Sequence, residues 1–305
     1  MELKMHKRKF SYMWAALFVM LLVVNMVQVM MSVPVAIINP ALTASVEFTL
    51  IAIFVSMHII GFLVYYLMMK PQVPVVQREK RKISVKDFIV LFFICMAATY
   101  LFNFVSVGIN YVIGLLKQSP VVNPLDSAIG GNVILQVFVL AISAPIIEEL
   151  VFRKIMLDCL RPYGDKLAIW VTALAFALFH GNLSQALYAF VLGLIFAYVV
   201  VRTNDVRYSI ALHIIINLLG STIMPMMAMS SNQVLVITAG LLVYVFIIVG
   251  VILFIVNRKK IVLEKGEITL EKKDRFRTIY LNAGMAGFTL MCLSMFIIAV
   301  LLPAA

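Results

Sequence analysis

The sequence predicts an all-α fold, a polytopic transmembrane helix bundle, and three observations carry that prediction. Of its 305 residues, 64% are hydrophobic and 13% charged, whereas soluble domains are nearer to about one half apolar. Apolar stretches occur at 12–33, 50–69, 88–116, 133–157, 167–180, 184–201, 208–226, 234–256 and 279–303, against the roughly 20 residues that a spanning helix needs. Of the 25 Lys and Arg residues, 24 fall in five segments that lie on one side if those stretches alternate across a bilayer. This composition excludes a soluble globule.

The fifth stretch is short, and the third and fourth are long. Nine spans are expected, or eight if the first or last lies in the interface. The basic segments are the N-terminal tail (Lys4 to Lys9), the loop from Lys70 to Lys86, residues 153–166, the pair Arg202 and Arg207, and the loop 257–277. The positive-inside rule puts all five, and the N-terminus with them, in the cytoplasm of a multi-pass cell-membrane protein. The net charge of +11 then follows from topology and from attraction to anionic inner-leaflet lipid. No nucleic acid partner is needed to explain it.

Taken in order, the first span follows basic residues as a signal peptide would, but its apolar core exceeds the roughly 7 to 15 residues of a cleavable one. It reads as a retained anchor, with Asn25 and Gln28 bonded to a neighbouring helix and with Pro34 and Pro40 closing it. His58 in the second span has no polar neighbour at helical spacing, so a hydrogen-bonded packing role is expected. The basic loop 70–87, with Gln72, Pro74 and Gln77, reads as a solvated linker and as the best boundary in the chain. Asn103 and Asn110, seven apart in the third span, share one face. Residues 118–132, with two prolines and two glycines, form a turn-rich outer loop. The sixth span carries Ala189, Gly193 and Ala197 as a small-residue face for close helix contact. The last two spans hold no ionisable group and read as scaffold. Cys95, Cys159 and Cys292 are too scattered for a disulfide framework or thiolate metal site. No internal repeat of the transporter kind is present. The expected organisation is a two-span region with its basic loop at 1–87, a helical core at 88–226 and a two-span scaffold at 227–305.

The fourth stretch sets the problem. Glu148, Glu149 and Arg153 sit inside an apolar run from Val133 to Leu160, whereas the other 12 acidic residues lie in tails, loops or loop edges. A charge at membrane depth costs roughly 2.5 to 3.5 kcal/mol even on lenient scales, and such groups mark functional sites by default. Glu149 and Arg153 are i and i+4 and can pair. Glu148 points about 100° away and is left free. Pro145 removes a backbone hydrogen bond and can open the helix just before it.

Three motifs then occur in order on separate spans: Glu148-Glu149-x-x-x-Arg153, Phe176-x-x-x-His180 and His213-x-x-x-Asn217. Together they resemble the CPBP intramembrane proteases, the CAAX-protease and bacteriocin-processing or Abi family. The resemblance covers about 130–220 and implies a membrane-embedded endopeptidase cleaving a membrane-associated peptide or protein. The chemistry is consistent with it. Amide hydrolysis needs a base for water, a donor for the oxyanion and an acid for the leaving amine. Glu148 suits the base, His180 can hold the water, and His213 and Asn217, on one helical face, can meet the oxyanion. The candidate catalytic set is Glu148, Glu149, His180, His213 and Asn217, supported by Arg153 and Phe176.

Two matters stay open at this level. Glu148, His180 and His213 would supply three ligands of the kind a catalytic zinc uses, and the family is often labelled as metalloproteases. No HExxH motif is present, however, and a glutamate-activated water without metal is the alternative. The depths of the histidines also conflict, because His213 lies about 7 Å and His180 roughly 20 Å from the cytoplasmic ends of their spans at 1.5 Å per residue. Two other functions compete with proteolysis: a non-catalytic scaffold or immunity protein, and a transporter using the glutamates as a proton relay.

Overall fold

The computed structural model describes residues 2–74 and 78–301; residues 75–77, with Gln77 of the basic loop, and 302–303 of the expected last span lie outside them. Eight helices are long and apolar enough to cross a membrane: α1 (Glu2–Ile38), α2 (Val46–Gln72), α3 (Val85–Lys117), α4 (Val133–Tyr163), α6 (Leu183–Thr203), α7 (Val206–Ala228), α8 (Gln233–Lys260) and α10 (Ala283–Leu301). The fifth apolar stretch is α5 (Asp165–Phe179), 15 residues long. It covers about 22 Å at 1.5 Å per residue, less than the roughly 30 Å hydrocarbon layer. It can be short because it is enclosed by protein: Ala168, Thr172, Ala173 and Ala175 are all fully buried. No strand occurs among the described residues.

Several boundaries move outward from the apolar runs, because a helix continues past the hydrocarbon until a cap stops it. Pro34 does not close the first span: α1 runs on to Ile38, and Pro40 instead opens a one-turn helix, Pro40–Thr43, capped by Asn39. Ser84 caps α3 by accepting from the Asp87 amide. Within the expected loop 257–277, Lys272 starts a short helix, α9 (Lys272–Ile279), and a turn separates it from α10. Gln28 reaches Ser56 on α2 at 3.2 Å as expected. Asn25 does not cross to a neighbour: it donates back to the Leu21 carbonyl of its own helix at 2.8 Å, the nearest acceptor one turn away.

Two large apolar cores hold the bundle among the described residues, with a smaller third one around Leu50, Val139 and Leu140. One joins α1, α2, the second half of α4, α5 and α10 around Trp14, Phe152 and Phe288. The other joins α3, α6, α7 and α8 around Phe196 and Phe246. The small face of α6 lies against α5 as the spacing predicts. A Cβ added at Gly193 would stand 3.0 Å from the Ala173 Cα, so the two backbones touch where any larger residue would part them. Cys95, Cys159 and Cys292 are free thiols buried in this packing.

The basic segments gather at one end of the bundle. The Arg81 amide donates to the Thr203 carbonyl at 2.7 Å and the Asn204 amide to the Glu79 carbonyl at 2.7 Å, which docks the loop after α2 onto the turn between α6 and α7. His6 meets the Tyr163 hydroxyl at 2.8 Å, and the Trp14 indole donates to the Ile279 carbonyl at 2.8 Å. Asp165 accepts from the Glu264 amide at 2.8 Å. The opposite end is closed by less charged contacts, such as Glu47 accepting from the Asn132 amide at 3.0 Å.

Candidate active site

The site is built around an irregularity in α4. Residues Ala144–Glu149 are α-helical, but Val137–Ser143 before them and Leu150–Met156 after them are wound as wider π turns, a feature frequent at functional sites. Before Pro145, the Ala144 amide donates to the Val139 carbonyl, five residues back. The corresponding donor for the Leu140 carbonyl would be Pro145, which has no N–H. Asn217 on α7 supplies it, its Nδ2 donating to that carbonyl at 3.0 Å. A proline just before one motif thus calls for the asparagine of another.

Glu149 and Arg153 form the expected pair, Oε2 to Nε at 3.4 Å, with both side chains 0% exposed. The guanidinium also lies 4.0 Å from the centre of the Phe176 ring, 5.4 Å from Phe196 and 5.8 Å from Phe152. Three aromatic faces therefore share the charge through cation–π attraction, which strengthens where water is excluded. Phe176 also stands beside His180, one turn on in its own helix, with ring centres 4.8 Å apart. The cage residues Phe152 and Phe196 were not expected. An aromatic next to a buried arginine in sequence was the only signal for the first, and Phe196 carried none.

His213 joins the two acids. Its Nδ1 is 3.0 Å from Glu149 Oε1 and its Nε2 3.6 Å from Glu148 Oε2. Glu149, already paired with Arg153, accepts at Nδ1, so Nε2 is the atom turned to Glu148. Glu148 differs from its neighbour in access: its side chain is 15% exposed and it lines a cavity of about 900 Å³ together with His180, His213 and Asn217. That volume is in the range of ligand pockets. Its rim includes Asn123, Asp126, Met226 and Met229, at the end of the bundle away from the basic segments.

His180 ends α5. Its Nδ1 lies 2.8 Å from the Phe176 carbonyl, an acceptor only, so Nδ1 carries the proton and Nε2 is left as the acceptor. The break after it is built by Gly181, at φ +63° in the left-handed region, and by Asn182. Asn182 caps α6 through the Gln185 amide and donates to the His180 carbonyl at 2.8 Å. His180 and His213 do meet at one level: Phe176 is edge-on to both, 4.8 Å and 5.9 Å between ring centres. An aromatic ring spans the difference in depth that helix lengths alone imply. His58 packs as expected, its Nδ1 at 2.9 Å from Ser143 Oγ. Asn110 donates to Ser184 Oγ at 2.9 Å, and Asn103 lines the cavity.

Fold and site define a polytopic membrane protein with a buried carboxylate–histidine cluster opening on an internal cavity. Residues 130–219 match the family described as Type II CAAX prenyl endopeptidase Rce1-like. The chain thus carries a domain of the CAAX protease family that its motifs resemble, and a match of that kind within a membrane bundle supports an intramembrane endopeptidase-like function. No curated protein and no solved structure matches the chain.

Among the described residues, no group of three or more His, Cys, Asp and Glu side chains is arranged to hold a metal ion. The His213 Nδ1 is engaged by Glu149, and Phe176 is edge-on to both imidazoles, at 4.8 Å and 5.9 Å between ring centres. Glu148, His180 and His213 are thus not grouped as a metal-ligand set among the described residues.

Proposed function

We propose that the protein is an intramembrane endopeptidase in which Glu148 activates water against a peptide bond of a membrane-associated peptide or protein. What supports this most is the contrast between adjacent acids: Glu149 is sealed and doubly held, while Glu148 faces the cavity beside two imidazoles. Glu148 takes a proton from a water that the His180 Nε2 orients by accepting its other hydrogen. The resulting hydroxide attacks the scissile carbonyl. Glu148 then returns the proton to the leaving amine.

His213 in its protonated form gives Nδ1–H to Glu149 and offers Nε2–H to the developing oxyanion. In that form Glu148, Glu149, Arg153 and His213 sum to zero charge, which limits the cost of burying them together. Asn217 gives one amide hydrogen to Leu140 and has a second for the oxyanion. Removal of one such donor typically costs about 100- to 1000-fold in turnover. The substrate class follows from the cavity, which is largely apolar and contains Met57, Met226, Met229 and Met295, side chains that adapt to varied apolar shapes. A lipidated peptide of the kind named in the matching family's description is one such substrate.

The test is to compare membrane peptides from cells carrying the wild type and Glu148→Ala, then to assay the peptides that differ in reconstituted vesicles. Cleavage by the wild type alone is expected. Identical peptide profiles and no cleavage by the purified wild type would favour a scaffold, and proton-coupled flux without cleavage would favour a transporter.

A further inference from the structure

A second cavity, of about 240 Å³, lies on the other side of the Glu149–Arg153 pair, at the basic end. Arg78, Lys80, Arg153, Lys154 and Arg161 all line it, against two acids, Asp158 and Asp205. The acids are already committed. Asp158 holds Lys154 at 2.8 Å and Arg78 at 3.5 Å, and Asp205 holds Arg207 at 2.5 Å and Lys80 at 3.7 Å. Five positive charges face these two acids, and with Glu149 balancing Arg153 the cavity is still net cationic.

Its innermost member is the second observation. Arg153 is 0% exposed, and none of its three guanidinium nitrogens has a hydrogen-bond acceptor among the described residues. The ion pair to Glu149, at 3.4 Å, and the aromatic cage balance its charge without accepting its N–H hydrogens at hydrogen-bond geometry. Buried donors left without acceptors are costly, more so on a charged group. An anion with several oxygens would meet them, and a phosphate group presents such oxygens to forked guanidinium donors.

We propose that this cavity, floored by Arg153 and rimmed by Arg78, Lys80, Lys154 and Arg161, is a binding site for a phosphate group. Arg161 shapes one wall, its NH1 fixed by Asn204 Oδ1 at 2.6 Å and its NH2 by the Val201 carbonyl at 3.4 Å. Lys80 and Lys154, with side chains 63% and 57% exposed, stand at the mouth, where lysines can follow an entering anion. The site sits at the end of the bundle where basic segments collect, the level at which basic pockets between spanning helices meet phospholipid headgroups. Both a headgroup and a free phosphate present the required oxygens. An anion here reaches the guanidinium that anchors Glu149 without entering the cavity that holds Glu148.

The experiment measures binding rather than turnover, so it is independent of the protease reading. Protein in neutral detergent is melted with inorganic phosphate or with chloride at equal ionic strength. In parallel, nanodiscs of phosphatidylcholine alone are compared with nanodiscs containing phosphatidic acid or phosphatidylglycerol, and phospholipid retained on the detergent-purified protein is counted by native mass spectrometry. Lys80→Gln/Lys154→Gln is the pocket variant, and Lys259→Gln/Lys260→Gln controls for loss of two positive charges elsewhere on the same end. The expected result is a phosphate-specific rise in melting temperature, or retained anionic lipid, in the wild type and the control. The pocket variant should bind roughly thirtyfold more weakly, taking the usual contribution of each basic group near a lipid surface. A response to phosphate in detergent identifies a soluble source, and one seen only with anionic lipid identifies the headgroup. Equal responses of all three proteins, or of phosphate and chloride, would overturn the proposal. Arg161→Gln is a further arm; should it fail to fold, the lysine pair still decides the outcome.

Discussion

His213 stands between the two adjacent glutamates, its Nδ1 at 3.0 Å from Glu149 and its Nε2 at 3.6 Å from Glu148. The two acids are therefore unequal although they are neighbours in sequence: one orients the imidazole and the other shares its working face. Glu149→Gln should lower abundance and melting temperature, because it leaves Arg153 without its carboxylate, and breaking a buried pair costs about 3 to 5 kcal/mol. Glu148→Gln should fold normally and lose activity. Equal destabilisation by both, measured in the same detergent, would make the pair structural.

The link between Asn217 and Leu140 makes a double-mutant cycle informative. Asn217→Ala should destabilise by about 1 to 3 kcal/mol through the orphaned carbonyl, and should depress turnover by about 100- to 1000-fold with little change in substrate affinity. In a Pro145→Ala background the new backbone N–H can reach Leu140, so the stability cost of Asn217→Ala should shrink. Any turnover loss that survives there belongs to the chemistry. Near-normal turnover in the double variant would confine Asn217 to helix packing.

His180→Ala should abolish cleavage while leaving the melting temperature close to wild type, since among the described residues the ring's one hydrogen bond is to the Phe176 carbonyl at the helix end. Turnover, melting temperature and metal content of the purified variant check this. An active His180→Ala enzyme would remove the mechanism proposed above.

The bundle's ends predict a labelling pattern. Ser84 and Thr269 are exposed at the basic end and Ser127 at the other. With an inside N-terminus, cysteines at 84 and 269 should resist an impermeant thiol reagent in intact cells and a cysteine at 127 should react. The reverse pattern would invert the protein in the membrane, and a mixed pattern at 84 and 269 would contradict the bundle itself.

Acid should loosen α7 from its start. Asp205 caps that helix, accepting from the Arg207 amide at 3.1 Å. Hydrogen bonds from the Arg207 side chain hold the Asp205 carboxyl below the ordinary carboxylate range, aided by the backbone amide and by Lys80, against the opposing effect of burial. Its folded-state value lies below its unfolded one, so its contribution is complete above the ordinary aspartate value of about 3.9. It is lost as pH falls from there through the folded value. Melting temperature should drop more steeply below about pH 4 in the wild type than in Asp205→Asn, which lacks the titrating group. Parallel curves would show that the cap contributes no pH dependence.

By itself, the sequence determined the parts of this protein that depend on local chemistry. Hydrophobic length and charge placement specified the bundle because lipid and water divide residues by transfer free energy alone. The spacing of Glu149 and Arg153 pointed to their pairing because residues four apart share a helical face, and the wider π turn between them still leaves them 3.4 Å apart; the three motifs were sufficient to mark the site and its resemblance. Tertiary structure decided what depends on helices meeting. The aromatic cage of Arg153 draws Phe176 and Phe196 from two other helices, and the Asn217 contact exists only because Pro145 frees a carbonyl that α7 happens to face. The length of α5 was likewise a packing outcome: a 15-residue helix is too short to face lipid across the bilayer, and burial among its neighbours removes that requirement. Helical periodicity encodes neighbours within a turn, whereas contacts between helices depend on rotation and depth that no single segment records.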